Sequence, residues 1–320
     1  MNLMVLADEI IDGRRLTRED DLARLVDCPL EELCQGADRI RAHFCGDKVD
    51  LCTIINGRSG QCGEDCKYCA QSCHNHAAIE TYGFLPKEEI VQTALANEKE
   101  GVDRFSIVTA GRSLSGEDFE KALEAYREMS KRCGLELCAS HGLLTSEQFR
   151  RLREAGVTSY HANIETSRRF FPYICTTHSF EDKLETIRRA QEAGLYVCSG
   201  GIIGMGETWE DRLDMAVTLS GLHVCSIPIN ALMPIPGTPL EGRSQLEEKD
   251  ILRTIALFRY INPEANIRLA AGRALLAGSG RIAFECGASA TITGNMLTTA
   301  GASTIKTDRE MLQKLGREVC

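Results

Sequence analysis

Residues 104–140 read RFSIVTAGRSLSGEDFEKALEAYREMSKRCGLELCAS: a β-rich run, an amphipathic helical stretch and a second β-rich run. Outward from this unit the alternation continues from about Asp50 onward. The β-rich runs DLCTII, SYHANI, YVCSGGI, VCSIPINAL, NIRLAA and ASATIT are separated by helical stretches such as PKEEIVQTALANEKEG, TSEQFRRLREAG, SFEDKLETIRRAQEAG, WEDRLDMAVTLSG and LEEKDILRTIALFRYI. Several helices open on Ser, Thr or Pro followed by acids and close on Gly, which are helix start and stop signals. Eight strand–helix units in about 270 residues predict an α/β fold, a (β/α)8 TIM-type barrel. A doubly wound open sheet competes, but no G-x-G-x-x-G follows the first strand. Residues 1–45 read as an N-terminal helical cap, 46–300 as the barrel and 301–320 as a C-terminal helix or tail, within one folded domain.

The 320 residues include 43% hydrophobic and 26% charged side chains, the balance of a globular enzyme. Against 37 Lys and Arg stand 46 Asp and Glu, a net charge of −9 with no basic block, so nucleic acid is excluded as a partner. The N-terminus carries acids throughout, with neither a basic n-region nor a sustained apolar run, and no stretch approaches the length of a membrane span. Fifteen cysteines in such a chain suit a reducing cytoplasm, where some thiols serve as metal or cluster ligands and most are small buried hydrophobes.

Directly after DLCTII comes NGRSGQCGEDCKYCAQS, with Cys62, Cys66 and Cys69 in one loop. Three thiols at Cys-x-x-x-Cys-x-x-Cys spacing can hold three corners of a 4Fe–4S cubane and leave the fourth iron without a protein ligand. That iron can take the amine and carboxylate of S-adenosylmethionine, and electron transfer then cleaves the sulfonium to a 5′-deoxyadenosyl radical. A zinc knot is the structural alternative, with Cys73, His74 or His76 as fourth ligand. Tyr68 places an aromatic ring where the adenine should lie.

The cysteine loop resembles that of the radical S-adenosylmethionine superfamily. CGEDCKYCAQS, VCSGGIIGMGE, IPINAL, GTPL, IRLAAGR and the late LTT together resemble the biotin synthase family over nearly the whole chain. The resemblance implies that desthiobiotin loses hydrogens from two saturated carbons to adenosyl radicals and that sulfur bridges them. Two S-adenosylmethionine molecules are consumed, and the sulfur comes from an auxiliary iron–sulfur cluster inside the barrel. It further implies a reducing electron-transfer protein, cluster-assembly machinery and a homodimer.

Familiar members of that family hold a 2Fe–2S auxiliary cluster with three Cys and one Arg. The matching positions are Ser106, Cys138, Cys198 and Arg268, so one thiolate is missing, and serine is a poor substitute. Cys52, on the adjacent first strand, stands where those members have serine. A divergent class with a larger 4Fe–5S cluster resembles this arrangement. Cys52, Cys138 and Cys198 are therefore the expected auxiliary ligands, with Arg268 lining the site. A packed core thiol is the alternative for Cys52; Cys73, Cys133 and Cys225 are weaker substitutes, and Cys175, Cys286 and Cys320 read as structural or exposed.

Strand alternation puts Arg104 with Ser106, His161 with Asn163 and Glu165, and Ser226 with Asn230, an internal polar face that suits a polar occupant. By resemblance, Asn163 and Glu165 bind the ribose of S-adenosylmethionine, and Asn230 joins Asn163 on the ureido ring of desthiobiotin. His161 stands where familiar members have Asn. Lys183 matches a clamp on the methionine carboxylate, and Gly200, Gly201 and the segment to Glu207 offer backbone to the methionine moiety. Thr298, Thr299 and Arg58 are candidates for the valeryl carboxylate. Competing readings are another enzyme of this barrel type, hydrogenase-maturase-like or methylornithine-synthase-like, or a non-catalytic iron–sulfur or zinc protein.

Overall fold

The computed structural model describes residues 2–294 and 303–319. Nine parallel strands form one closed sheet: β1 (Asp50–Arg58), β2 (Arg104–Thr109), β3 (Glu136–Ser140), β4 (Ser159–His161), β5 (Tyr196–Cys198), β6 (Gly201–Ile203), β7 (Ser226–Ala231), β8 (Asn266–Leu269) and β9 (Ala290–Ile292). Their order is β5-β4-β3-β2-β1-β9-β8-β7-β6, and a β5–β7 pairing closes the ring. YVCSGGI, expected as one strand, is broken into β5 and β6, which both pair with β7, at Cys198–Ser226 and Gly201–Ile229. The break follows from close approach: a Cβ on Gly200 would lie 2.0 Å from the Pro228 carbonyl oxygen. Counting β5 and β6 as one stave gives the expected eight.

Helices α4 (Lys87–Lys99), α5 (Gly116–Arg132), α6 (Ser146–Glu154), α7 (Phe180–Glu192), α8 (Trp209–Gly221) and α9 (Glu248–Ile261) alternate with the strands. Capping boxes begin three of them, Thr145 with Gln148, Ser179 with Asp182 and Thr208 with Asp211, which fixes where each helix leaves its loop. N-terminal α1 (Leu3–Ile11), α2 (Ala23–Val26) and α3 (Leu30–Cys45) form an extra layer, with α3 against α9 and α1 against α3. At the other end α10 (Ile305–Lys314) is tied down by a buried Arg273–Asp308 ion pair at 2.7 Å. The Val49 N–H donates to the Glu318 carbonyl at 2.9 Å, joining the chain's end to the entry of β1. Among the described residues no helix is long and apolar enough to cross a membrane.

Between strands and helices lies a continuous apolar core including Phe105, Ile107, Leu137, Tyr160, Ile227 and Ile267. Inside the ring, thiols, hydroxyls and charged side chains share the lining with apolar ones. SYHANI is a strand only as far as His161, so Asn163 and Glu165 lie beyond its end, at the C-terminal mouth where barrel enzymes place their chemistry.

Candidate functional site

Strand β1 ends at Arg58, and the cysteine loop begins at once. Its first turn takes Gly60 and Gln61 into the left-handed region, at φ 77° and 53°. The Ser72 hydroxyl donates to the Glu64 carbonyl at 2.6 Å. The Asn75 amide donates to the carbonyls of Cys66 at 3.1 Å and Cys69 at 2.8 Å. The Cys62 N–H donates to the Gln71 carbonyl at 3.0 Å, and the Cys62 carbonyl accepts from Cys73 at 2.8 Å. Backbone bonds thus set all three cysteines while their side chains stay half-buried. Three thiols on one pinned loop fit a 4Fe–4S cluster with one iron left for another ligand.

The zinc alternative finds no fourth ligand where it was expected. Cys73 is exposed, and the His74 Nε2 faces the Gly63 carbonyl at 3.1 Å. Among the described residues, the set of His, Cys and acidic ligand atoms that come within 4.8 Å of one another is Cys66, Cys175 and His178. Cys175, expected to be structural, is buried with its Sγ 3.8 Å from that of Cys66. The hydrogen bond from Cys66, helped by His178 and opposed by burial, brings the Cys175 thiol down to about 4. The same bond and burial push the Cys66 thiol up.

Beside the loop, Tyr68, Glu165 and Lys183 converge. Burial and the facing Glu165 carboxylate hold the Tyr68 phenol neutral. Glu165 adopts φ 70°, an uncommon conformation for a residue with a Cβ, because its backbone pairs with the broken stave. Its N–H donates to the Gly200 carbonyl at 3.2 Å, and its carbonyl accepts from Ile202 at 2.8 Å. One Glu165 oxygen lies 3.8 Å from the Lys183 ammonium; the other is buried and, with the Tyr68 phenol facing the carboxylate, finds no hydrogen bond of ordinary geometry. Buried polar atoms are normally bonded, so this oxygen points to a polar ligand at the mouth. The Asn163 carbonyl oxygen accepts from Gly200 N–H at 2.9 Å, which leaves its amide hydrogens available.

Glu207 differs from its expected role. Its carboxylate accepts from Gly204, Met205 and Gly206 N–H groups at 2.8, 2.8 and 3.1 Å and from Arg212 at 2.8 Å. With every oxygen engaged it shapes the loop and is not presented to a cofactor. Gly200 and Gly201 likewise have a packing reason: a Cβ on Gly201 would lie 2.3 Å from the Glu165 carbonyl oxygen.

The barrel interior holds a cavity of about 500 Å³ lined by Cys52, Ser106, Cys138, His161, Cys198 and Arg268 among others. Alternation and parallel register bring these inward from five neighbouring staves and from β8. Cys138 pairs with Ser106 on one side and Ser159 on the other, and Cys198 with His161 and Ser226. Burial pushes all three thiols up, and Arg268 opposes it at Cys52 and Cys198. The hydroxyls of Ser106 and Ser159 flank Cys138 yet find no hydrogen bond of ordinary geometry. Unsatisfied hydroxyls among buried thiols fit a polar, thiophilic occupant such as an iron–sulfur cluster. Cys52 lies opposite Arg104, whereas Ser106 lies opposite Ile54. Exchanging Ser106 for Cys52 therefore moves the thiol one strand sideways and one inward-facing layer toward the N-terminal end.

Asp50, absent from the sequence-based candidates, organises the cavity's charge. It accepts from Arg268 at 2.6 Å and Arg104 at 2.7 Å. Burial acts to raise its carboxyl, but the two guanidinium groups bring it down to about 2. Arg268 also donates to Ser226 at 3.2 Å and to the carbonyls of Asp50 and Thr291 at 3.2 and 3.0 Å. Its fork is thus largely committed to the protein, and it stands beside the thiols as a fixed positive charge. The imidazole of His161 lies 3.5 Å from Cys198 Sγ, and burial lowers it to about 4, so it is neutral at physiological pH.

Asn230 bridges three staves, donating to the Gly201 carbonyl at 3.0 Å and accepting from Ala271 N–H at 3.2 Å, while facing the cavity. Arg58 does not line that cavity. Its guanidinium donates to the Ala110 carbonyl at 2.6 Å and to Asp118 at 3.1 Å, tying β1 to β2 and α5. Thr298, Thr299 and Cys320 lie outside the described residues. Cys133 donates its S–H to Met129 at the end of α5, Cys286 is buried, and Cys225 is exposed at the cavity's N-terminal end. Sequence reasoning passed over Cys175 and His178, although their Cys-x-x-His spacing is a metal-ligand signal. It had no signal for Asp50, whose partners lie on other staves.

A parallel barrel with a cysteine loop at its C-terminal mouth and thiols in its interior defines a radical S-adenosylmethionine enzyme. Residues 58–219 match the Radical SAM superfamily, and residues 228–318 match the Biotin and Thiamin Synthesis associated domain. The chain is 61% identical over 311 residues to a biotin synthase of Clostridium beijerinckii, covering 97% of this chain and 98% of that one. Identity to biotin synthases of Alkaliphilus metalliredigens and Akkermansia muciniphila is 58% and 51%, over 99% and 98% of this chain and 99% and 97% of theirs. The chain belongs to the biotin synthase family. Among solved structures, methylornithine synthase superposes with a TM-score of 0.84 at 22% identity, covering 98% of this chain and 97% of that one. A maturase of the FeFe hydrogenase gives 0.83 at 17% identity, covering 99% and 75%. Both likenesses speak to the fold alone.

Proposed function

We propose that the chain converts desthiobiotin to biotin by radical sulfur insertion, with two sets of thiols at different depths in one barrel. The observation that carries this reading is the pairing of the mouth triplet with Cys52, Cys138 and Cys198 around one interior cavity. Cys62, Cys66 and Cys69 would hold a 4Fe–4S cluster, which would pass an electron from an external reductant to S-adenosylmethionine for its cleavage to methionine and the adenosyl radical. Cys52, Cys138 and Cys198 would hold an auxiliary cluster, of the 4Fe–5S type, which would supply the sulfur.

The remaining roles belong to side chains. Lys183 pairs with the methionine carboxylate, and the free oxygen of Glu165 accepts from the ribose hydroxyls. Tyr68 shields the adenine side and excludes water. Asn163 and Asn230 offer an amide donor and a carbonyl acceptor to the ureido group, which orients the substrate between mouth and interior. Arg268, fixed by Asp50, balances the negative charge that thiolate ligation brings into a buried site. His161 stays neutral beside Cys198 and adds no second cation.

The test is anaerobic reconstitution with iron and sulfide, followed by S-adenosylmethionine, desthiobiotin and a strong reductant. Two 5′-deoxyadenosine molecules per biotin are expected. A loaded protein that never cleaves S-adenosylmethionine would overturn the enzyme reading. One that cleaves it without consuming desthiobiotin would overturn the substrate.

A further inference from the structure

A second possible ligand set lies against the cysteine loop and uses only one of its three thiols. Segment 174–178, ICTTH, is clamped to the loop independently of its Cys and His. Asp65 accepts from the Thr176 and Thr177 N–H groups at 2.8 and 3.2 Å, and the Lys67 N–H donates to the Ile174 carbonyl at 2.9 Å. Cys175 and His178 are thus not needed as anchors, yet both side chains are buried and turned to Cys66. Cys66 and Cys175 sulfurs are 3.8 Å apart, and Cys175 Sγ lies along the imidazole edge of His178, 3.2 Å from Nδ1 and 3.8 Å from Nε2. Tetrahedral zinc, with bonds of about 2.3 Å to sulfur and 2.0 Å to nitrogen, places two sulfurs about 3.8 Å apart and sulfur from nitrogen about 3.5 Å.

The imidazole is also held by a carboxylate. His178 Nδ1 bonds the Glu64 carboxylate, which is itself held by Thr177 at 2.9 Å and Arg112 at 3.3 Å. Metal-ligating histidines commonly give their second ring N–H to a carboxylate, which fixes the tautomer and leaves the other nitrogen for the metal.

We propose that Cys66, Cys175 and His178 form a mononuclear site for a thiophilic divalent cation in the cluster-free chain, with Glu64 as the residue that positions His178. Two thiolates and an imidazole favour Zn2+, with Fe2+ the weaker occupant. Cys66 cannot serve this ion and a 4Fe–4S cluster together, so the two compete. Zinc bound here keeps the cluster from being built, and release of Cys66 is a step in loading the enzyme. Only this competition rests on the proposed role of the loop; the ion site itself does not.

The test uses Co2+ as an optical probe of the full-length, metal-free, reduced protein. One Co2+ per chain should give thiolate-to-cobalt charge-transfer bands with tetrahedral d–d bands, displaced by equimolar Zn2+ and by Fe2+ only in excess. The bands should survive in C62A/C69A and disappear in Cys175→Ala. Cys175→Ser, which keeps the side chain's size, should halve the charge-transfer intensity. Glu64→Gln should weaken Co2+ binding 10–100-fold, the usual effect of losing a carboxylate behind a ligating histidine. Absence of the bands in the parent protein would overturn the proposal, as would bands that need Cys62 and Cys69 but ignore Cys175. Displacement by Fe2+ more readily than by Zn2+ would overturn the donor set. In a second measurement, zinc added before reconstitution should lower iron incorporation by about one four-iron cluster in the parent protein and not in Cys175→Ala. Equal inhibition in both would refute the competition, while the cobalt titration stands apart from it.

Discussion

The thiols at the barrel's mouth and those in its interior are positioned by different means. Cys62, Cys66 and Cys69 belong to one loop, fixed by hydrogen bonds of their backbone groups with the Asn75 side-chain amide, the Gln71 carbonyl and the Cys73 N–H. Cys52, Cys138 and Cys198 come from three strands far apart in sequence, and only parallel register brings them to one cavity. A local motif can carry the first arrangement; the second exists only once the barrel closes. Disturbing the loop should therefore leave the interior intact, whereas disturbing the interior charge network should weaken the whole fold.

The largest effect is expected at the loop. Replacing Cys62, Cys66 or Cys69 by Ala should remove about four irons per chain. It should also lower 5′-deoxyadenosine formation at least ~1,000-fold, about 4 kcal/mol of barrier. The Mössbauer signal of the interior cluster should persist in these variants. If it vanishes with the loop cluster, the two regions are not independent.

Interior substitutions should separate the two reactions. Cys52→Ala should abolish the second four-iron Mössbauer species and reduce biotin formation about 100-fold, equivalent to ~3 kcal/mol. Cleavage of S-adenosylmethionine should continue, because the loop is untouched. Ser106→Ala should retain the species, since the Ser106 hydroxyl holds no partner in the cavity. An ordinary 2Fe–2S signal in the parent protein would break the assignment of Cys52.

Asp50 tests the link between the interior and folding. Asp50→Asn leaves Arg268 buried without its carboxylate, while half-buried Arg104 keeps Glu136, and loss of one partner of a buried pair costs about 3–5 kcal/mol. Urea unfolding at neutral pH measures that loss. The pH dependence has a definite sign. The carboxyl is brought down to about 2 in the folded state, so its contribution is complete above the usual carboxylate value near 4 and is lost as pH falls through about 2. Between those limits the parent protein should lose roughly 2 kcal/mol that the Asn variant does not have to lose. Equal acid sensitivity in both would show that the pair does not act as a unit.

The same division explains what was legible in the sequence. Strand–helix alternation and capping residues predicted the staves and helices, because both are local signals. The break at Gly200 was not legible, since it answers to the Pro228 carbonyl on the next stave. The loop triplet could be read from spacing alone. Cys138 and Cys198 could be matched only by resemblance, and the layer offset between Cys52 and Ser106 needed the register itself. Glu207 and Arg58 misled because a charged side chain beside a candidate site has two outlets, ligand or backbone. Their partners, Gly204 to Gly206 with Arg212 and Ala110 with Asp118, become visible only in three dimensions.

Lys183 offers the finest probe of the boundary between mouth and interior. Its ammonium lies 3.8 Å from Glu165, longer than a direct hydrogen bond, so neither group is saturated by the other. Each can take a bond from a zwitterionic ligand, and the contact should contribute to binding more than to chemistry. Lys183→Met keeps the stem that packs beside the loop and removes the charge. It should raise KM for S-adenosylmethionine about tenfold, or ~1.4 kcal/mol, with kcat changed far less. Lys183→Arg keeps the charge and should stay within about threefold of the parent, a loss of ~0.7 kcal/mol at most. A fall in kcat with KM unchanged would instead place the lysine's contribution in the reacting state, and the mouth would be doing more than holding its ligand.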